Sequence, residues 1–193
     1  MPPSPLAASM PDFKPAAVLL KVVAVNSLYG TNVYAVDRAA QHIGMVRDGV
    51  KLASAERQLV EEMAAIPPLP GGKARRHRSF ASKFAHFFID HHRFPIHDSF
   101  AARMLKAHLD RDAPAPDSGA TYMAIEAAFR TLAQSAGLCS DTRRVDRYLW
   151  IVGQYRDWTN NPKATINSEL RAVFEADPPE LAVTAGIWYR PRG

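Results

Sequence analysis

The six residues at positions 67–72, PPLPGG, place the strictest limit on how this chain can fold. Proline lacks a backbone N–H and clashes with the preceding helical turn, and paired glycines weaken a helix, so this segment cannot lie inside one. The stretch that ends at Ile66 has apolar residues at helical spacing, and a second such stretch begins near Ser79. The segment therefore separates two helices.

Periodicity, caps and helix breakers predict helices along most of the chain. An apolar run from Ala16 suits a first helix, Asn32 suits the N-cap of a second, and Ser79 the N-cap of a later one. Pro95 stops that later helix, so that Asp98 or Ser99 begins the next. Further helices are predicted at 122–136, 142–158 and about 162–175. We therefore expect an all-α orthogonal helical bundle.

The ends of the chain and its single cysteine set the expected organisation and environment. Residues 1–15 contain five prolines and predict a flexible leader, whereas 16–193 predict one helical domain or two packed halves with the site between them. One cysteine, Cys139, excludes a disulfide framework within the chain. No signal sequence or membrane span is visible, so we expect a cytoplasmic monomer without a membrane partner.

Positive charge is concentrated in one short run, Lys73–Arg78. The net charge is +5, and without the four cations of this run 20 basic residues would face 19 acidic ones. Such a run is either a solvated loop or the electrostatic footprint of a polyanion binder. The second interpretation predicts DNA contacts from Lys73, Arg75, Arg76, His77 and Arg78.

Two residues in the segment after this run suggest chemistry. Lys83 lies in an otherwise apolar helix, and Asp98 follows a proline-led turn at the start of the next helix. An acid at that position is stabilised by unpaired N–H groups, so Asp98 is at least a helix cap. A lysine such as Lys83 commonly covers apolar surface with its stem while its charged end reaches water.

The same segment resembles the helix-hairpin-helix DNA glycosylases, where a lysine after the hairpin precedes an aspartate in a motif of the type P-x-D-x-H-V. Lys83 matches that lysine and Asp98 that aspartate, within SFASKFAHFF and FPIHDSFAARML. The run LLKVVAVNSLYGTNVYAVDRAAQHI is similar to the early helical pair of endonuclease III-like members. The most similar group is that of short bacterial proteins with an 8-oxoguanine DNA glycosylase (OGG)-like fold. The glycine hairpin of the family is replaced here by His77–Ala81.

The resemblance implies a DNA glycosylase that excises a damaged or modified base, in repair or in defence against foreign DNA, and needs no cofactor or metal. Asp98 would stabilise the cationic sugar, and Lys83, desolvated by neighbouring phenylalanines, would attack it and form a Schiff base. Tyr29 stands where the family inserts a glutamine into DNA. Further predicted DNA contacts are Asn32 and Ser79, and the predicted base pocket is Phe87, His97 and Trp150. Helical spacing predicts that Trp150 packs in the core, and a base-pocket role is the alternative.

Two other functions fit the same residues. A catalytically silent DNA-binding module would keep the fold and the basic run without the chemistry. An HD-type metal-dependent phosphohydrolase is suggested by a cluster of histidines that ends in a His-Asp pair. The cluster comprises His86, His91, His92 and the pair His97–Asp98.

Overall fold

A computed structural model of the protein describes residues 10–49, 56–109, 120–139, 141–161 and 166–176. These ranges contain eight helices and no strand, which confirms the all-α prediction. The helices are α1 (Pro15–Tyr29), α2 (Val36–Gly49), α3 (Glu56–Ala64), α4 (Arg78–Phe88), α5 (Ser99–His108), α6 (Tyr122–Ser135), α7 (Thr142–Asn160) and α8 (Ser168–Ala176). Within the same ranges, no helix has the length and apolarity that crossing a bilayer requires.

The chain divides into two compact units. The first comprises Met1–His97 and Thr121–Glu126, and the second comprises Asp98–Ala120 and Ala127–Gly193. The helix α6 therefore begins in the first unit and ends in the second. Residues 1–9 and the tail from 177 onward lie outside the described ranges.

The core of the first unit is formed by α1 to α4. Helix α1 begins with Pro15, whose fixed φ suits the first helical turn, and is followed by its C-cap Gly30, which has the left-handed φ of 54°. Its buried face packs against α2 and α4, and α4 also packs against α3. On α4 three phenylalanines, Phe80, Phe84 and Phe88, recur every fourth residue and are buried in this core. Spacing of this kind places them on one side of the helix.

The residues just before α1 also belong to this core, so the predicted flexible leader is too long at its C-terminal end. Met10 and Phe13 are partly buried against the core, and the Nζ of Lys21 lies 3.6 Å from the centroid of the Phe13 ring. Lys21 is almost fully buried and also donates a hydrogen bond to the backbone oxygen of Asp12. Burial lowers the pKa of Lys21, and the nearby Arg47 adds to this against the opposing effect of Asp12. The ring of Phe13 and the buried amine of Lys21 thus hold in place residues that were predicted to be flexible from their prolines alone.

Two predicted helix caps are wrong. Asn32 was expected to cap the second helix, but α2 begins only at Val36, and Asn32 lies in the preceding loop with a left-handed φ of 56°. Ser79 was expected to cap the helix that contains Lys83. That helix, α4, begins at Arg78 with His77 at the N-cap position, so Ser79 lies inside it. Asparagine tolerates the left-handed region better than most residues, so that turn conformation competes with capping.

The second unit is centred on the packing of α5 against α7. A Cβ added to Gly153 would lie 2.7 Å from the Cβ of Phe100, so only glycine allows the two helices to approach this closely. Around Phe174 of α8, the rings of Tyr155 and Trp158 lie with centroids 5.2 and 5.8 Å away. Trp150, by contrast, is 43% exposed, so the prediction that it packs in the core is wrong.

A tyrosine and a histidine form a polar contact in the second unit that makes its stability sensitive to pH. The hydroxyl of Tyr148 lies 3.1 Å from Nε2 of His108. Burial, reinforced by Arg156, lowers the pKa of His108 to about 4, and burial raises the pKa of Tyr148 to about 12. At neutral pH both groups are therefore uncharged.

We expect the second unit to lose stability as the pH falls from about 6.5 towards about 4. The unfolded chain takes up a proton at His108 near the ordinary histidine pKa, whereas the folded unit resists it, so protons favour unfolding in this window. The slope from this group is at most about 1.4 kcal/mol per pH unit, and smaller where solvent screens the site. Urea unfolding followed by tryptophan fluorescence measures it, and His108→Asn should flatten the slope. An unchanged slope in that variant would contradict the expectation.

Candidate functional site

Four residues that the sequence analysis selected lie together in the first unit. The Nζ of Lys83 donates a hydrogen bond of 2.9 Å to Oγ of Ser79 and lies 5.9 Å from the centroid of the Tyr29 ring. The Tyr29 ring stacks on Phe87, with centroids 5.1 Å apart and planes inclined by 18°. We call Tyr29, Ser79, Lys83 and Phe87 the lysine cluster.

Helical spacing explains why α4 contributes three members of the lysine cluster. Ser79, Lys83 and Phe87 follow each other every four residues, which places them on one stripe of the helix. Lys83 is only 5% exposed, whereas Phe87 is half-buried. The lysine side chain is therefore largely removed from water, and its amine binds the hydroxyl of Ser79.

Tyr29 ends α1, and the loop after it has a fixed shape. Oδ1 of Asn26 accepts hydrogen bonds of 2.9 Å from both Oγ1 of Thr31 and the backbone N–H of Val33. Nδ2 of Asn26 donates to the backbone oxygen of Val33 at 3.1 Å. Burial raises the pKa of Tyr29, so its hydroxyl stays protonated at neutral pH. Asn26 was not among the predicted site residues, because an asparagine one turn from a helix end has no distinctive spacing.

A second stripe of α4 binds the loop at 94–97, which leads to Asp98. The Oγ of Ser82 accepts a hydrogen bond of 3.0 Å from the backbone N–H of His97, and Nδ1 of His86 lies 2.9 Å from the backbone oxygen of Phe94. The hydroxyl of Tyr122 donates to the backbone oxygen of Pro95 at 2.9 Å. All three side chains are buried. The sequence analysis made no prediction of this contact, for which the polar residues Ser82 and His86, four apart in the sequence, were the signal.

Asp98 is the first residue of the second unit and caps α5, as predicted. Its Oδ1 accepts hydrogen bonds from the backbone N–H groups of Phe100, at 3.0 Å, and Ala101, at 2.9 Å. Its backbone is extended, with φ −145° and ψ −179°, as is usual for an N-cap residue. These two donors fix the orientation of the carboxylate.

The basic run has one end anchored in the first unit. Nε of Arg78 lies 2.7 Å from Oε1 of Glu61, and Nη1 of Arg76 donates to the Glu61 backbone oxygen at 3.1 Å. Lys73 and Arg75 are exposed, whereas His77 is half-buried. Burial, aided by the charge of Arg75, lowers the pKa of His77. The exposed cations available to a polyanion are therefore Lys73 and Arg75 above all.

Glu61 joins three segments of the first unit. Besides Arg78, its Oε1 accepts a hydrogen bond of 2.6 Å from the backbone N–H of Tyr122, the first residue of α6. Burial acts to raise the pKa of Glu61, but the hydrogen bonds from Arg78 and Tyr122 outweigh it and hold the pKa below its usual value. The carboxylate is therefore charged at neutral pH.

We expect Glu61→Ala to lower the free energy of unfolding by about 2–3 kcal/mol, because it leaves a half-buried guanidinium and a backbone N–H without their acceptor. Glu61→Gln keeps one acceptor and should lose less. Glu62→Ala, one residue along α3, is the matched control and should change stability little. Chemical denaturation measures all three, and equal losses at both positions would contradict the role assigned to Glu61.

Of the other candidates, His86 contacts the lysine cluster, because its ring lies edge-on to that of Phe87 with centroids 5.0 Å apart. His97 is half-buried in the first unit, with its backbone bound to Ser82, and Trp150 lies on α7 in the second unit. No group of three or more histidine, cysteine, aspartate or glutamate side chains in the described ranges is arranged to hold a metal ion.

Comparison with known proteins concerns mainly the first unit. A family described as HI_0787_N, N-terminal domain, matches residues 6–93, just under half of the chain. An uncharacterized protein of Haemophilus influenzae (strain ATCC 51907 / DSM 11121 / KW20 / Rd) is 34% identical over 84 residues, or 42% of this chain. The chain matches only 39% of that relative's length. No solved structure matches the chain. The family match includes the whole lysine cluster and ends five residues before Asp98.

Proposed function

We propose that the protein is a DNA glycosylase that excises a damaged or modified base and that Lys83 also gives it lyase activity. One observation carries the proposal: the buried Lys83 binds Ser79 through its amine and lies near the ring of Tyr29, which stacks on Phe87. The resemblance assigns Tyr29 to DNA, and Ser79 and Phe87 were predicted from the sequence to contact DNA and the excised base. A lysine that merely covered apolar surface would extend its amine to water instead.

The lysine cluster suits chemistry on a base that has left the helical stack. Flipping a base costs a few kcal/mol and leaves a gap, which the flat ring of Tyr29 is shaped to fill. The Lys83 nitrogen then forms a bond to C1′ of the sugar as the bond from C1′ to the base breaks. The base leaves with the electron pair and is protonated, the amine loses a proton, and opening of the sugar ring gives the Schiff base.

The helices around the basic run support a bundle of the helix-hairpin-helix type. Helices α3 and α4 pack against each other, and the chain between them turns at Gly71, which has a φ of 78°. The N–H of Gly72 donates to the backbone oxygen of Leu69 at 2.8 Å in the same turn. We propose that Lys73 and Arg75, which follow this turn, bind phosphate through their side chains in place of the glycine hairpin of the family.

Asp98 is the proposed carboxylate of the reaction. In this role it stabilises the positive charge that develops on the sugar and orients or deprotonates the nucleophile. The two N–H groups that bind Oδ1 hold the carboxylate in one orientation before substrate arrives. Such preorganisation means that little reorganisation is needed at the moment of reaction.

A catalytically silent DNA-binding module is the second candidate, and one observation favours it. Oδ1 of Asp98 is fully explained as the cap of α5, so the structure gives the residue a purpose without any chemistry. The two candidates make the same prediction for the basic run. They differ only in what happens to bound DNA.

Release of free base from a panel of oligonucleotide duplexes tests the proposal. The panel carries oxidised, alkylated and deaminated bases, modified cytosines and an abasic site, each also as a single strand. We expect at least one duplex to lose its base, and abasic DNA to be nicked. Binding to DNA without base release or nicking from any duplex or strand would favour the silent module, and failure to bind DNA would exclude both.

The exposed cations of the basic run should dominate the salt dependence of DNA binding. For duplex DNA the slope of log K against log salt is about −0.9 for each phosphate contacted, so Lys73→Gln with Arg75→Gln should reduce it by roughly 1.8. Fluorescence anisotropy at several salt concentrations measures the slope. The control removes two exposed cations of the second unit, through Lys106→Gln with Arg171→Gln. Equal changes in the two double variants would show that net charge alone, not the basic run, determines binding.

A further inference from the structure

The loop 94–97 is held by buried side chains at three of its four residues. Nδ1 of His86 lies 2.9 Å from the oxygen of Phe94, and Tyr122 donates to the oxygen of Pro95 at 2.9 Å. Ser82 accepts from the N–H of His97 at 3.0 Å. Ser82 and Tyr122 are fully buried, and His86 is 4% exposed. Loops usually run over the surface, where water can bind their backbone groups, whereas buried side chains bind the backbone of this one.

Of these three loop contacts, the one made by Ser82 is nearest in the chain to Asp98, the proposed catalytic carboxylate. Its hydroxyl also lies 3.3 Å from the backbone oxygen of His97 and 3.2 Å from that of Ser79. A hydroxyl has one hydrogen, so these two oxygens share it, whereas the bond from the His97 N–H uses a lone pair. Both backbone groups of His97 are therefore held by one side chain of α4.

We propose that Ser82 is a positioning residue for Asp98, which follows His97 directly in the chain. The inference rests on the proposed function. Because consecutive Cα atoms are a fixed 3.8 Å apart, holding His97 on both of its backbone groups limits where Asp98 can begin. On its other side, the carboxylate is fixed by the N–H groups of Phe100 and Ala101. Asp98 is thus restrained from both directions, by Ser82 before it and by the α5 terminus after it.

This arrangement has a physical reason in the geometry that catalysis requires. A displacement of about 1 Å in a reacting group can lower the rate about 100-fold. Helix capping tolerates such displacements, since capping serine, threonine and asparagine side chains differ in reach yet all serve. The buried Ser82 hydroxyl binds both backbone groups of His97, the residue before Asp98, and this restraint is more than a helix cap requires.

Single-turnover base release and hydrogen exchange in the full chain test the proposal. Ser82→Ala removes the hydroxyl, Tyr122→Phe removes the contact three residues before Asp98, and Ile43→Val is the control. Ile43 is equally buried in the first unit but makes no described polar contact with the loop or with the lysine cluster. Ile43→Val should lower the free energy of unfolding by about 1 kcal/mol, as the loss of a hydrogen bond does. We expect Ser82→Ala to lower the rate about 10- to 100-fold with an unchanged DNA Kd. Tyr122→Phe should have a smaller effect in the same direction, and Ile43→Val none.

Exchange of the Phe100 and Ala101 amides gives a readout that does not depend on activity. In Ser82→Ala we expect both amides to exchange faster, because the carboxylate that binds them is less restrained, whereas Ile43→Val should leave them unchanged. A rate loss in Ile43→Val equal to that in Ser82→Ala would overturn the proposal, as would unchanged rate and exchange in Ser82→Ala. If the unaltered protein releases no base, the proposed function fails. Amide exchange then still tests whether Ser82 restrains Asp98. Faster exchange would then show that Ser82 restrains Asp98, and unchanged exchange would refute it.

Discussion

Replacing Asp98 by asparagine is expected to slow base release by about 10²- to 10⁴-fold while leaving the protein folded and bound to DNA. Asparagine caps helices about as well as aspartate, so its side-chain oxygen can still accept from the N–H groups of Phe100 and Ala101. What it lacks is the negative charge that stabilises the cationic sugar. Single-turnover base release, with the Kd measured separately, separates these two functions.

The capping role is tested by a second substitution at the same position. Asp98→Ala removes both the cap and the charge, and should therefore cost about 1 kcal/mol of stability in addition to activity. Asp98→Asn should change the unfolding free energy by less than about 0.5 kcal/mol. If Asp98→Asn releases base at the unaltered rate, the carboxylate serves only as a cap and the silent module becomes the better proposal.

Replacing Lys83 by glutamine is expected to abolish covalent trapping on abasic DNA. The aldehyde of an abasic site and the lysine amine form an imine with loss of water, and borohydride supplies the hydride that makes the bond permanent. Glutamine has no nucleophilic amine, so no imine forms. Trapping followed by denaturing gel electrophoresis detects the adduct directly.

Two further variants separate nucleophilicity from charge. Lys83→Arg keeps a cation that can bind Ser79, yet guanidinium is not a nucleophile at neutral pH, so trapping should also be lost. Lys106→Gln removes an exposed lysine from α5 in the second unit and should trap normally. Trapping that persists in Lys83→Gln would assign the adduct to another amine. Base release without trapping in the unaltered protein would indicate water as the nucleophile.

Local sequence rules predicted the helices better than their ends. The apolar run after Pro15, the break at 67–72 and the cap at Asp98 follow from proline chemistry, periodicity and hydrogen-bond supply, all of which act over a few residues. Asn32 and Ser79 have the composition of N-caps but are not used as such. The residue that caps a helix depends on where the preceding loop enters the helix. That entry point depends on contacts such as those of Asn26, which a short stretch of sequence around the cap does not include.

The sequence by itself determined that the described chain is helical, and it singled out Lys83, Tyr29 and Phe87 as candidate site residues. It also determined the i, i+4 stripe of Ser79, Lys83 and Phe87, because helical geometry alone sets that spacing. Only the tertiary structure decided that Tyr29, more than 50 residues earlier, stacks on Phe87 near the lysine. It likewise decided that Ser82 and His86 bind a loop and that Arg78 pairs with Glu61. Such contacts join residues distant in the chain, and their energies depend on burial that arises only when the helices pack.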